Sequence, residues 1–316
     1  MAVERESQER RAGKPAVQPK ALERKAPQPQ AHGRPSPERK VTVPWVAAAP
    51  ERGEPLVMVT AYDAQQGRVV DGAGADVVLV GDSLAMVVLG HPDTLSVTME
   101  EMLHHVRAVR RGVARALLVA DMPYGSFHLG PEQAVGNALR FVKEGGAQAV
   151  KIEGARPEVV AALVSAEVPV MAHLGLTPQS LHRFGGFKVQ GKGEEAARAL
   201  VEAAGELEAA GAFSLVLECI PAALAAEVTE RLSIPTIGIG AGPGCDGQVL
   251  VYHDLLGLEE RIAPRFVRRY AQLGAEARRA VEAFAEDVRA GRFPGEAESY
   301  HDPTRPAPAE LERLYG

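Results

Sequence analysis

A chain of 316 residues that is 46% hydrophobic and 24% charged has enough apolar material for a large globular core, and none of its apolar runs is long enough to cross a bilayer. The net charge of −6 is split: residues 1–40 carry ten Lys and Arg against five Asp and Glu, so the rest carries 25 basic against 36 acidic residues, a balance that argues against a general nucleic-acid binder. Cys219 and Cys245 are too few for a disulfide framework and point to a reducing, cytoplasmic setting.

Residues 1–40 hold six prolines and almost no large apolar side chain, so they cannot bury enough surface to offset the entropy of ordering. They are expected to form a disordered basic extension. A secretory signal is excluded by the missing apolar core, and Glu4, Glu6 and Glu9 disfavour a transit peptide. From Val41 the composition becomes globular. Eight short apolar runs are predicted as strands: Leu56 to Val59, Val77 to Val80, Leu117 to Ala120, Ala149 to Ile152, Val168 to Ala172, Ser214 to Leu217, Thr236 to Ile239 and Val249 to Tyr252.

Helical segments separate most of these runs. Thr98-Met-Glu-Glu101 is a capping box that opens a helix ending near Arg111, before Gly112. Pro131 to Glu144, Glu194 to Ala210, Pro221 to Leu232 and Gly274 to Ala290 complete the set; the first and third have a proline start, and Gly145, Gly211 and Gly291 stop the first, second and fourth. Strands alternating with helices imply parallel pairing through right-handed crossovers. Eight of them over roughly 250 residues favour a closed (β/α)₈ barrel, an α/β fold, as a single domain.

The active face of such a barrel is the rim where the strands end. The residues falling there are Thr60 to Asp63, Gly81-Asp82-Ser83, Asp121, Lys151 with Glu153, His173, Glu218, Gly238 to Gly242 and His253-Asp254. Taken singly, an Asp after a strand is a helix cap or turn residue. Gathered on one rim, Asp82, Asp121 and Glu153 would repel one another unless protonated or bridged by a cation. Hard oxygen donors without a His/Cys cluster select Mg²⁺ or Mn²⁺. Such an ion leaves positions open for the carboxylate and keto oxygens of a 2-oxo acid, and it stabilises an enolate.

Lys151 reads either as a Schiff-base lysine or as an ammonium kept charged by its acidic neighbours, and Glu153 favours the second. Glu218 reads as a general acid or base or as half of a buried salt bridge; His173 as a ligand contact or a structural histidine. His104-His105 reads as a solvated or packed pair. The formal GxGxxG from Gly242 to Gly247 leads into a strand rather than a helix, which disqualifies it as a dinucleotide fingerprint. Either it is a phosphate loop after strand seven or, as preferred here, a close-approach turn at the pocket wall.

Taken in order, Val80-Gly-Asp-Ser-Leu84, Gly90-His91, Thr94-Leu95, Ala120-Asp-Met-Pro123, Val150-Lys-Ile-Glu-Gly154, His173-Leu-Gly-Leu-Thr-Pro-Gln-Ser180, Phe184-Gly-Gly-Phe-Lys-Val-Gln-Gly191, Leu217-Glu-Cys-Ile-Pro221, Ile237-Gly-Ile-Gly-Ala-Gly242 and Asp246-Gly-Gln248 resemble the ketopantoate hydroxymethyltransferase family over about residues 41–301. The resemblance implies a TIM barrel of the phosphoenolpyruvate/pyruvate type with a C-terminal helix, leaving residues 302–316 as a tail. It also implies Mg²⁺ and the transfer of a hydroxymethyl group from 5,10-methylenetetrahydrofolate to 3-methyl-2-oxobutanoate in pantothenate biosynthesis. By motif, Asp82 and Asp121 match metal ligands, with Glu153 as the third acid. Asp82, Ser83, Asp121 and Lys151 match keto-acid contacts, and Glu218 matches the proton acceptor. The partners implied are the 2-oxo acid, the folate and further copies of the chain, commonly in a decamer, with neither nucleic acid nor membrane. Competing readings are a C–C lyase on the same barrel, a Schiff-base aldolase using Lys151, and a non-catalytic ligand-binding barrel.

Overall fold

The computed structural model describes residues 40–261 and 264–301. The disordered extension expected over residues 1–40 lies outside the described residues except for Lys40, as does the tail over 302–316. Eight strands form the centre: Leu56–Thr60 (β1), Val77–Val80 (β2), Leu117–Asp121 (β3), Ala149–Glu153 (β4), Val170–Gly175 (β5), Ser214–Glu218 (β6), Thr236–Ile239 (β7) and Gly247–Leu250 (β8). Each pairs in parallel with the next, and β8 pairs with β1 to close the barrel.

Two short helices, Val43–Ala47 (α1) and Ala49–Arg52 (α2), precede the barrel; Ala64–Gly72 (α3), Leu84–Val87 (α4), Met99–Arg110 (α5), Pro131–Lys143 (α6) and Pro157–Ser165 (α7) follow β1 to β4. Leu181–Phe184 (α8) and Glu194–Ala209 (α9) follow β5, Ala222–Arg231 (α10) follows β6, and Tyr252–Leu256 (α11) and Leu273–Arg289 (α12) follow β8. The box expected at Thr98 opens α5: the Glu101 amide donates to Thr98 Oγ1 at 3.2 Å and the Thr98 amide to Glu101 Oε2 at 2.8 Å.

Side chains alternate across a strand, and here both faces are apolar, which is why the strands read as unbroken hydrophobic runs. Leu79, Leu117, Val119, Ala149, Met171, Val216 and Ile237 fill the barrel interior. Val78, Val80, Leu118, Ala120, Val150, Ile152, Ala172, Leu215 and Leu217 pack outward beneath the helices. Val41, Val46 and Ala49 join the interior cluster, and the Val41 amide donates to Arg115 O just ahead of β3. The segment around α1 therefore plugs the end where the strands begin. Only the opposite end remains for chemistry.

Two strands start elsewhere than expected, each for an identifiable reason. β5 starts at Val170 because Val168 closes α7 through a bond to Leu163 O, while Pro169 O accepts from the Val150 amide. β8 starts at Gly247, whose lack of a side chain hides it from a search for apolar runs; a Cβ there would lie 2.7 Å from Leu56 O. The glycine-rich run makes the close approach expected of it. Between β7 and β8 it replaces a crossover helix and lies against α10, where a Cβ on Gly242 or Gly244 would meet Ala222 or Ala226 at 2.4 or 2.8 Å.

Candidate active site

The alternation that fills the barrel with Val119, Ala149, Met171 and Val216 puts Asp121, Lys151, Glu153, His173 and Glu218 on the same inward face, one pleat nearer the strand ends. Asp82 and Ser83 reach the same place from the turn after β2. One oxygen from each of Asp82, Asp121 and Glu153 lies within 4.8 Å of the others, and all three residues are buried. Lys151 Nζ sits among them, 2.9 Å from Asp121 Oδ1 and 3.5 Å from Glu153 Oε1, and 3.2 Å from His173 Nδ1. On the far side of the imidazole, His173 Nε2 lies 3.3 Å from Glu218 Oε2.

Burial is the main cause raising the Asp82 carboxyl well above the usual range, and repulsion from Asp121 and Glu153 adds to it. Asp121 is raised by burial and by Glu153, with Lys151 opposing. Glu153 is held below its usual value: burial opposes ionisation, but Lys151, His173 and the Gln179 amide outweigh it. The Lys151 ammonium is desolvated too, yet Asp121, Glu153 and Asp82 keep it firmly charged. An amine so held is a poor Schiff-base nucleophile, since that chemistry needs a depressed pKa.

Two features had not been assigned from sequence. Gln179, on the segment after β5, ties the acids together: its side-chain amide donates to Asp82 Oδ2 and to Met122 O, each at 2.9 Å, and its backbone amide donates to Glu153 Oε2 at 3.0 Å. Ser83 is positioned by Tyr62, whose buried hydroxyl lies 2.8 Å from Ser83 Oγ. The Tyr62 ring lies tilted against His253, their centroids 5.4 Å apart, and its carbonyl is 2.6 Å from His105 Nδ1. His105 is thus the packed member of its pair and His104 the exposed one.

The donor set suits a hard divalent cation. It offers three carboxylates and no sulfur, two of those carboxyls are pushed toward protonation by burial and then by neighbouring acids, and Gln179 Oε1 is buried without a hydrogen-bond partner among the described residues. A cation replaces the protons that burial would otherwise force onto Asp82 and Asp121.

Comparison with known proteins agrees with this geometry. The family model for ketopantoate hydroxymethyltransferase matches residues 40–296. The 3-methyl-2-oxobutanoate hydroxymethyltransferase of Thermobifida fusca is 56% identical over 267 residues, covering 84% of this chain and 95% of that protein. Its counterpart from Carboxydothermus hydrogenoformans is 52% identical over 278 residues, 87% of this chain and 99% of that protein. Among solved structures, phosphonopyruvate hydrolase in complex with oxalate and Mg²⁺ superposes with a TM-score of 0.54 at 16% identity, covering 86% of this chain and 94% of its own. For 2,3-dimethylmalate lyase, a member of the PEP mutase/isocitrate lyase superfamily, the TM-score is 0.51 at 19% identity, over 87% of this chain and 94% of the other. At that identity the likeness is one of fold.

Proposed function

Because this chain belongs to the ketopantoate hydroxymethyltransferase family and so forms ketopantoate from 3-methyl-2-oxobutanoate in pantothenate biosynthesis, we propose that it draws the hydroxymethyl group from 5,10-methylenetetrahydrofolate and works with Mg²⁺ at the barrel mouth. The observation that carries this reading is the meeting of Asp82, Asp121 and Glu153, from three separate strand ends, within 4.8 Å. These three acids would hold the ion, which when bound supplies positive charge to the carboxylate and keto oxygens of the 2-oxo acid.

The remaining work falls to the chain. The Lys151 ammonium and the Ser83 hydroxyl hold the substrate acid, with Tyr62 fixing Ser83. Glu218 takes the proton from C3 of the keto acid, and the resulting enolate carbon bonds to the donor's methylene carbon; both C–N bonds of that carbon break, one water supplies its hydroxyl, and the released folate nitrogens take up the water's other proton and the one from C3. Its carboxylate suits this task because it faces the site from β6, apart from the acid triad, and only His173 lies against it among the described ion-pair partners. His173 in turn bridges Glu218 to Glu153, so the general base is steadied by a ring anchored at its other nitrogen. Burial of the site, with Asp82, Asp121, Lys151, Glu153 and His173 all under 5% exposed, keeps water from competing for the charged groups.

We place the reaction in the cytoplasm, where the free thiols of Cys219 and Cys245 are stable. We also propose a homo-oligomer, a decamer, built partly on α12: that helix buries none of its residues and exposes Val281, Phe284 and Val288 along one side. Mass spectrometry of the product formed from keto acid and methylenetetrahydrofolate, with and without Mg²⁺, tests the function. Formation only when both donor and metal are present is expected; cleavage of the keto acid without donor would favour the lyase reading. Borohydride trapping of a covalent adduct at Lys151 would favour the aldolase reading.

A further inference from the structure

Beside the acid cluster lies a second polar cavity of about 390 Å³, between the end of β4 and the segment leading into α8. Glu153 and Gln179 form its inner wall, so it is continuous with the site described above. Arg156 and Arg183 flank it, with His128 and Ser180 completing the polar lining. We propose that this cavity is a carboxylate subsite for the one-carbon donor, seating the glutamate end of the folate between the two guanidinium groups.

The case begins with what the arginines lack. Eight of the 19 arginines among the described residues have found a carboxylate, Arg107 pairing with Glu144, Arg140 with Glu100 and Glu144, and Arg261 with Glu259. Arg156 and Arg183 have neither a side-chain hydrogen bond nor an ion pair among the described residues. Arg156 is instead laid over the Phe127 ring, its guanidinium carbon 5.3 Å from the ring centroid, which holds the plane while leaving its N–H groups free. The cavity's one acid, Glu153, is committed to Lys151, His173 and the Gln179 amide, so it does not satisfy them.

The surroundings fit an anion. Gly154, with φ +90°, presents its bare side toward Arg156, whose Nε lies 3.9 Å from where a Cβ would stand. Arg156 also occupies the N-cap of α7, which no side chain caps, so the partial positive charge of that helix end adds to the guanidinium. A planar fork over an aromatic ring is the arrangement that recognises a carboxylate with two parallel hydrogen bonds.

The inference rests on the function proposed above, which supplies a donor whose glutamate carboxylates lie far from its reactive methylene. The keto acid is small and its single carboxylate is already served by Lys151 and Ser83. The donor must extend outward from the mouth, and the cavity leads from buried Glu153 to exposed Arg183.

Steady-state kinetics test the assignment with Arg156→Gln, Arg156→Lys and Arg183→Gln. Each glutamine variant is expected to raise KM for methylenetetrahydrofolate about tenfold, one charge-assisted hydrogen bond's worth. KM for the keto acid and its Mg²⁺-dependent binding by calorimetry should stay within twofold, and Arg156→Lys should recover part of the loss. N-(p-aminobenzoyl)glutamate should compete with the donor in the unsubstituted enzyme and lose affinity in both glutamine variants. Exposed Arg183 keeps the test decisive should Arg156→Gln misfold. An unchanged donor KM in folded variants, or a rise in keto-acid KM instead, would overturn the subsite while leaving the function intact. If the unsubstituted enzyme fails to consume keto acid in a donor-dependent way, the function falls and the subsite falls with it.

Discussion

Replacing Lys151 by Met keeps the volume of the side chain and removes its charge from the centre of the site. The ammonium lies 2.9 Å from Asp121 and 3.5 Å from Glu153, with all three side chains no more than 5% exposed. Removing one partner of such a buried pair costs about 3–5 kcal/mol, since the acids are left desolvated and unopposed. Coulomb repulsion alone gives a similar scale: two carboxylates within 4.8 Å of one another at an effective dielectric of about 20 repel by roughly 3.5 kcal/mol or more. The sign of the pH dependence follows. With Lys151 gone, the folded-state pKa values of Asp82 and Asp121 rise further above their unfolded values and Glu153 loses the main influence that depresses it, so stability is lost as pH climbs and the carboxyls ionise. Urea denaturation in EDTA should therefore show the variant destabilised by about 3–5 kcal/mol at pH 8 and by clearly less at pH 5. Mg²⁺ should restore part of the difference at pH 8, because a bound cation replaces the missing positive charge. A loss below about 1 kcal/mol at pH 8, with no rescue by Mg²⁺, would refute the view that these acids form one mutually repelling cluster.

Gly175→Ala should lose about 3 kcal/mol of stability together with most of the activity: φ is +94° there, and the new Cβ would stand 2.2 Å from Glu218 O, displacing the strand end that carries the proposed base. Thermal melts and kcat measure both. Asp254, half-buried and facing Glu259, has its carboxyl pushed up to about 6, so its ionisation destabilises the fold as pH rises from about 4 to 6. Asp254→Asn is then expected to stabilise the fold by about 1 kcal/mol at pH 8 once solvent screening is allowed for, seen as a higher Tm, and to leave Tm unchanged at pH 4; an equal effect at both values would contradict the assignment. Phe284→Glu, placed in the exposed apolar side of α12, should lower the assembly mass seen by light scattering while leaving the circular dichroism of the barrel unchanged.

The barrel could be read from sequence because its strands are buried on both faces, so that Val77-Val-Leu-Val80 and its counterparts appear as uninterrupted apolar runs. Inward alternation then carries the polar residues at the strand ends to one mouth, which is why Asp121, Lys151, Glu153 and Glu218 were identifiable without coordinates. What escaped depends on partners distant in the chain. Gln179 bridges Asp82 and Glu153 from a loop, where a glutamine by itself signals no chemistry. The short α1 plug has a Thr42 cap and a proline start, but five residues are too few to show helical periodicity. The glycines after β7 announce a close approach, yet no local pattern says that Ala222 and Ala226 of α10 are what they approach.

Titration of 3-methyl-2-oxobutanoate into the enzyme by calorimetry, with saturating Mg²⁺ and then in EDTA, and repeated on Asp121→Ala, examines most directly whether the gathered acids hold a cation that receives the keto acid. Binding at least a hundredfold weaker in EDTA, about 2.7 kcal/mol, and abolished in Asp121→Ala under both conditions, is the result expected. Equal affinity with and without the metal in the unsubstituted enzyme would contradict it.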